Sequence, residues 1–142
     1  MITPGEKKDY SVLVDIWESA VKATHDFLSD DDFEFYKKHI YIYFEHVSLF
    51  VYRNENGEAK GFLGISEDSI EMLFVDNKSR GTGIGKLLLD YAVNRLNAQK
   101  VDVNEQNTQA LEFYYHFGFK EVGRDEYDGE GKGYPILHLE KS

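Results

Sequence analysis

Leu73-Phe74-Val75-Asp76-Asn77-Lys78-Ser79-Arg80-Gly81-Thr82-Gly83-Ile84-Gly85-Lys86 decides how this 142-residue chain is read. An apolar run ends at Asp76, a polar turn carries Arg80, and three alternating glycines lead into a helical pattern. Glycines at such a turn let backbone approach a ligand closely, while free N–H groups and the positive end of a helix attract phosphate. The stretch reads as an anion cradle; the plainer reading is a tight strand-to-helix turn. Two common nucleotide motifs fail. A P-loop ending at Gly85-Lys86 would need glycine at position 80 and Ser or Thr at 87, where Arg80 and Leu87 stand. A Gly-x-Gly-x-x-Gly fingerprint would need glycine at Lys86 or at Leu88, depending on its start.

Outward from the turn, residues 83–98 form an amphipathic helix with Leu87, Leu88, Tyr91, Ala92 and Leu96 on one side. Upstream lie three β-type runs, 48–53, 59–66 and 69–76. Asn54-Glu55-Asn56-Gly57 is a hairpin turn between the first two, and Glu67-Asp68 closes the next. Before them, Leu13, Ile16, Trp17, Ala20, Val21 and Thr24 mark a helix over 7–24. Ser29 and Asp32 form a capping arrangement that opens a second helix through about 44, with Phe33, Tyr36, Ile40 and Phe44 available for burial. Downstream, a strand at 100–104, a helix at 108–117, and strands at 119–128 and 134–139 flank a turn at 129–133. This order predicts one mixed α/β domain over 1–142, with the unit from 71 to 104 a right-handed crossover between parallel strands.

Composition narrows the chemistry. The chain has no cysteine, so disulfides, thiolate zinc sites and cysteine nucleophiles are excluded, and its five histidines show no metal-ligand spacing. No metal is expected. Sixteen Lys and Arg against 26 Asp and Glu give a net charge of −10. A field of that sign disfavours nucleic acid and anionic membrane surfaces and favours a cationic substrate such as an amine. The first residues show no basic or apolar leader pattern, and no run approaches the ~18 apolar residues that span a bilayer, so a soluble, cytoplasmic protein is expected.

Arg80, Gly83 and Gly85 fit Arg-x-x-Gly-x-Gly/Ala, and the stretch resembles the pyrophosphate-binding signature of the GNAT superfamily of acyl-CoA-dependent N-acetyltransferases. A second block, Asn107-Thr108-Gln109-Ala110-Leu111-Glu112-Phe113-Tyr114-Tyr115-His116-Phe117-Gly118-Phe119, is similar to that family's Asn-x-x-Ala-x-x-Phe-Tyr-x-x-x-Gly-Phe. The element order resembles the family along nearly the whole chain. Residues 23–28, 101–107 and 134–139 further resemble its small bacterial YjaB-like members. The resemblance implies a mostly antiparallel sheet flanked by helices, with a splayed parallel strand pair that admits acetyl-CoA as co-substrate. It assigns pantetheine contacts to Leu73, Phe74 and Val75, pyrophosphate contacts to Arg80, Gly81, Thr82, Gly83, Ile84, Gly85 and Lys86, and a contact with the cofactor arm to Asn107. Two parting strands expose unpaired backbone groups, which a pantetheine chain can satisfy as an added strand.

Direct acetyl transfer needs a neutral amine, stabilisation of the oxyanion, and a proton for the departing thiolate. The resemblance makes Tyr114 the general acid and a contact of the donor; a phenol of pKa ~10 is protonated at neutral pH and can serve sulfur. Tyr115 is the rival if the register is off by one. The base is a carboxylate, either Glu71 on the strand leading to the turn or Glu105 at the end of the next, unless each is a surface ion-pair partner. His25 and Asp26 lie in the helix connection that lines the acceptor side in the family, against a plainer reading as a local capping pair. His138 reads as a structural histidine. The second helix carries more aromatics, Phe33, Phe35, Tyr36, Tyr41, Tyr43 and Phe44, than one buried stripe needs. The surplus lines an acceptor pocket, makes a homodimer contact, or is scattered surface. The expected activity is transfer of acetyl from acetyl-CoA to a primary amine of a small molecule or peptide. The alternatives are a catalytically weak acyl-CoA-binding sensor and a scaffold that binds nothing.

Overall fold

The computed structural model describes residues 1–141, which fall into two compact units, one from Met1 to Ala98 and a second beginning at Gln99. In the first, strands β1 (Ile2–Pro4), β2 (Ser48–Arg53), β3 (Ala59–Ser66) and β4 (Ser69–Val75) pair antiparallel in chain order. Helices α1 (Tyr10–Thr24), α2 (Asp30–Glu45) and α3 (Ile84–Leu96) pack on this sheet. The second contains β5 (Lys100–Asn104), α4 (Thr108–His116), β6 (Phe119–Asp125) and β7 (Ile136–Lys141), with β7 antiparallel to both β5 and β6.

The central strand β3 is apolar at nearly every position, as a strand covered on both faces must be. Phe62 joins Val51, Leu49 and Met72 against the α1 stripe of Leu13, Ile16, Trp17 and Val21 and the α2 residues Ile40 and Phe44. On the other face, a Cβ at Gly61 would meet Ile84 and Leu88 at 3.1 Å, and Phe50 lies 5.4 Å from the Tyr91 ring, so α3 seats there. Gly61 is small because a helix needs the space. The buried stripe of α3 is Ile84, Leu88, Leu89 and Ala92, whereas Leu87 is exposed. A Leu-Leu-Leu run fits two helical phases, and contact with Gly61 selects the one that turns Leu87 outward.

Two elements escape the sequence patterns. β1 is three residues long, too short to alternate, and is held by backbone pairing with β2. A 3₁₀ turn, Asn77–Ser79, follows β4 where the sequence shows only a polar turn of no defined type. Ser29 does cap α2, its hydroxyl accepting from the Asp32 N–H at 3.1 Å. Of the α2 aromatics, Phe33, Tyr36 and Tyr43 pack against the core, Phe35 stacks on His39 at 4.2 Å, and Tyr41 stays exposed. The final strands are shifted: β6 stops at Asp125 and β7 begins at Ile136, the chain between them turning on bonds from the Lys132 and Glu130 N–H groups to the Asp128 side chain.

In the second unit, Val101, Val103, Leu137 and Leu139 are buried, and the alternate residues Asp102 and His138 face each other across the β5–β7 pair. His138 bridges two carboxylates, Nδ1 to Asp102 at 2.6 Å and Nε2 to Asp125 at 2.7 Å. Hydrogen bonds to Asp102 and then Asp125 hold its pKa above the ordinary histidine value. Only the imidazolium donates from both nitrogens, so this bridge stabilises the fold fully below the unfolded pKa of ~6.5 and is lost as pH rises through the elevated folded value. Denaturant midpoints should fall between mildly acidic and mildly alkaline pH. His138→Gln should flatten that dependence, and added salt should shrink it because the aspartates are solvent-exposed.

Candidate functional site

The glycine turn is built from β4 outward. Asp76 leaves the strand with its N–H on the Lys60 carbonyl at 2.9 Å, and its carboxylate caps the 3₁₀ turn by accepting from the Lys78 N–H at 3.2 Å. The Ser19 hydroxyl of α1 donates to Asp76 Oδ1 at 3.1 Å and accepts the Asn77 N–H at 3.0 Å. The Arg80 N–H returns to the Asn77 carbonyl, and Thr82 donates its hydroxyl to the Ser79 carbonyl. Gly81 and Gly83 then adopt φ of +78° and +86°, a region that costs other L-residues roughly 1–2 kcal/mol. Gly83 is the N-cap of α3 and supplies no side-chain cap, so the first-turn amides of Ile84, Gly85 and Lys86 look outward without one. A Cβ at Gly81 or Gly83 would meet no protein atom within 4 Å. The space over both glycines is open, Arg80 beside it is exposed, and the donors present fit a phosphate-bearing group.

Strand β4 reaches the turn through a bulge. Gly64 pairs with Met72 while Ile65 pairs with Ile70, so Glu71 is the extra residue. The bulge puts Ile70 and Met72, two apart in sequence, opposite partners on different faces of the sheet, and leaves Glu71 exposed. Beyond it, Leu73, Phe74 and Val75 pair regularly with Leu63, Phe62 and Gly61.

At the end of α1, Thr24 donates its hydroxyl to the Ala20 carbonyl at 2.8 Å. The 2.7 Å contact between that oxygen and His25 Nδ1 must therefore have the imidazole as donor, which leaves Nε2 as an acceptor in the neutral ring. Burial pushes the His25 pKa down, against a smaller upward pull from Asp26, and favours that neutral ring. Asp26 is exposed beside it.

In the second unit, Asn107 caps α4, its side-chain oxygen accepting from the Ala110 N–H at 3.2 Å. Tyr114 is 6% exposed with its ring edge-on to Phe113 and Phe119, whereas Tyr115 is 43% exposed. Burial pushes the Tyr114 phenol well above its ordinary pKa, so the hydroxyl holds its proton throughout the physiological range. No enclosed side-chain polar atom among the described residues lacks a partner. Glu105 is held by Arg124 through two bonds, 2.8 and 3.1 Å, which lower its pKa. A carboxylate with both oxygens engaged is a weak base.

Residues 13–141 match the family model for the acetyltransferase (GNAT) domain. The chain belongs to the GNAT family. It is 39% identical over 135 residues to a peptidyl-lysine N-acetyltransferase, YjaB, of Salmonella typhimurium, covering 95% of this chain and 90% of that one. The solution structure of apo YjaB from Escherichia coli superposes with a TM-score of 0.91 at 36% identity, over 99% of this chain and 95% of that one. An N-acetyltransferase from Thermoplasma acidophilum, solved in complex with coenzyme A, shares the fold at 18% identity and a TM-score of 0.74, over 100% of this chain and 98% of that one. This GNAT domain has the family's mixed α/β fold and is an N-acetyltransferase. Among the described residues, no helix is long and apolar enough to cross a membrane, and no cluster of three or more His, Asp or Glu is arranged to hold a metal.

Three features of these surroundings carry no signal in the sequence: the Ser19 clamp, 57 and 58 residues from its partners; the Glu71 bulge; and the Arg124 pair on Glu105. The turn itself yields a direct test. Gly83→Ala should weaken acetyl-CoA binding at least tenfold, because its methyl fills the open space and its φ is strained. Gly57→Ala, at φ +79° in the hairpin turn with equally open space, should cost similar stability and leave binding unchanged. Calorimetric titration of both variants reads the difference.

Proposed function

We propose that this chain, acting as a single domain over 1–142, transfers an acetyl group from acetyl-CoA directly to the side-chain amine of a lysine in a peptide. The observation that carries the reading is the pair of left-handed glycines under open space at the uncapped start of α3. The family model runs through both compact units, which supports a single acetyltransferase domain. The peptide acceptor is supported by what the YjaB relatives are named for, and a net charge of −10 favours a cationic acceptor over an anionic one.

Acetyl-CoA supplies the acetyl group as an activated thioester. Arg80 and the amides of Gly81, Thr82, Gly83, Ile84, Gly85 and Lys86 hold its phosphates. The backbone of Leu73, Phe74 and Val75 bonds its pantetheine arm, and the Asn107 amide nitrogen, whose oxygen is committed to capping α4, donates to it. Tyr114 gives a proton or a strong hydrogen bond to the leaving sulfur: its hydroxyl is protonated at any working pH, and its packed ring fixes the direction. Glu71 accepts the proton of the incoming ammonium, directly or through water. Glu105, whose two oxygens both accept from Arg124, is the alternative base. His25 and Asp26 face the acceptor, with His25 Nε2 able to accept from the ammonium.

Thiol release from acetyl-CoA across a panel of lysine peptides, free polyamines, amino acids and hydroxyl compounds should show the peptides turned over most efficiently. A preference for hydroxyl acceptors would contradict amine transfer. Turnover should rise with pH until the amine or its base has titrated. Tyr114→Phe should lower kcat about 10²-fold with acetyl-CoA affinity little changed, and Tyr115→Phe should be silent. Glu71→Gln should lower kcat on a similar scale, and Glu105→Gln far less.

A further inference from the structure

The glycine turn ends a chain of hydrogen bonds that begins on another element. Ser19 is half-buried on α1, and its neighbours Ile16, Trp17 and Ala20 are fixed in the core. Its single hydroxyl is spent in both directions, as donor to Asp76 Oδ1 and as acceptor of the Asn77 N–H. Asp76 and Asn77 are the first two residues after β4 and open the 3₁₀ turn that leads into Arg80 and the glycines. The downstream bonds, Ser79 N–H to Asp76 O and Arg80 N–H to Asn77 O, are internal to the turn and fix its shape. The Ser19 bonds tie that shape to α1. The Asp76 N–H on the Lys60 carbonyl ties the start of the turn to β3 through the backbone alone.

We infer that Ser19 is a positioning residue for donor binding: by clamping Asp76 and Asn77 it sets the direction in which Arg80 and the α3 amides meet the phosphates. The inference rests on the reading that residues 80–86 hold those phosphates. A residue acting only through the phosphate turn should matter for a donor that has phosphates and not for one that lacks them. A residue that merely supports the fold should matter equally for both.

Wild type, Ser19→Ala and Ser19→Thr are compared by thiol release to a lysine peptide, using acetyl-CoA and S-acetyl-pantetheine, the same thioester without phosphates. Wild type should prefer acetyl-CoA through a lower KM. Ser19→Ala should raise the KM for acetyl-CoA about fivefold, a part of what the two lost hydrogen bonds are worth, with kcat within about twofold and the S-acetyl-pantetheine kinetics unchanged. Ser19→Thr, which keeps the hydroxyl, should restore the wild-type KM. An unchanged KM for acetyl-CoA in Ser19→Ala, or an equal loss with both donors, overturns the role of Ser19 while leaving the phosphate turn standing. A wild type that uses both donors equally overturns the phosphate turn, and the role of Ser19 with it.

Discussion

The left-handed backbone at Gly81 and Gly83 is the constraint on which the rest of the donor-binding account depends. A strand that ends in a buried sheet and a helix that must return across the same sheet need a sharp reversal, and positive φ supplies it without a Cβ penalty. The same reversal aims three amides of α3 away from the protein with no side chain to cap them. In an ordinary helix start, a Ser or Asp side chain would satisfy one of those donors, as Ser29 does for α2 and Asn107 for α4. At α3 no side chain does so, and together with the open space over Gly81 and Gly83 this leaves its first-turn donors to an anion.

Around that turn the fold supplies rigidity in proportion to need. β3 is buried on both faces, and Gly61 lets α3 settle against it, so the helix start is fixed from below. Ser19 fixes the approach from the side. Tyr114 is an analogous case in the second unit, its ring fixed edge-on against Phe113 and Phe119. Each arrangement reduces the ordering that binding would otherwise require, which is where preorganisation gains affinity and rate.

Much of this was legible in the sequence because the signals are local. Short β-type runs mark 48–53, 59–66 and 100–104 at the observed bounds, and the three glycines mark the turn. Ser29 announces a cap that forms. What could not be read depends on partners distant in the chain. The phase of α3 follows from contact with Gly61, which turns Leu87 away from the side its spacing suggests. β1 exists only because β2 offers it an edge, and the bulge at Glu71 only because β3 sets the register. The Arg124 pair that weakens Glu105 as a base joins residues 19 apart, on a β-strand end and an edge strand. Periodicity detects which face of an element is apolar; it does not detect a single polar side chain waiting for a partner.

The central claim is that the turn at 80–86 receives the phosphates of the acyl donor, and backbone amide NMR of the wild-type protein titrated with coenzyme A tests it most directly. The account predicts that the amides of Gly81 to Lys86 move first and furthest, with pantetheine alone leaving them nearly still. Saturable binding that shifts amides elsewhere and spares Gly81 to Lys86 would contradict it.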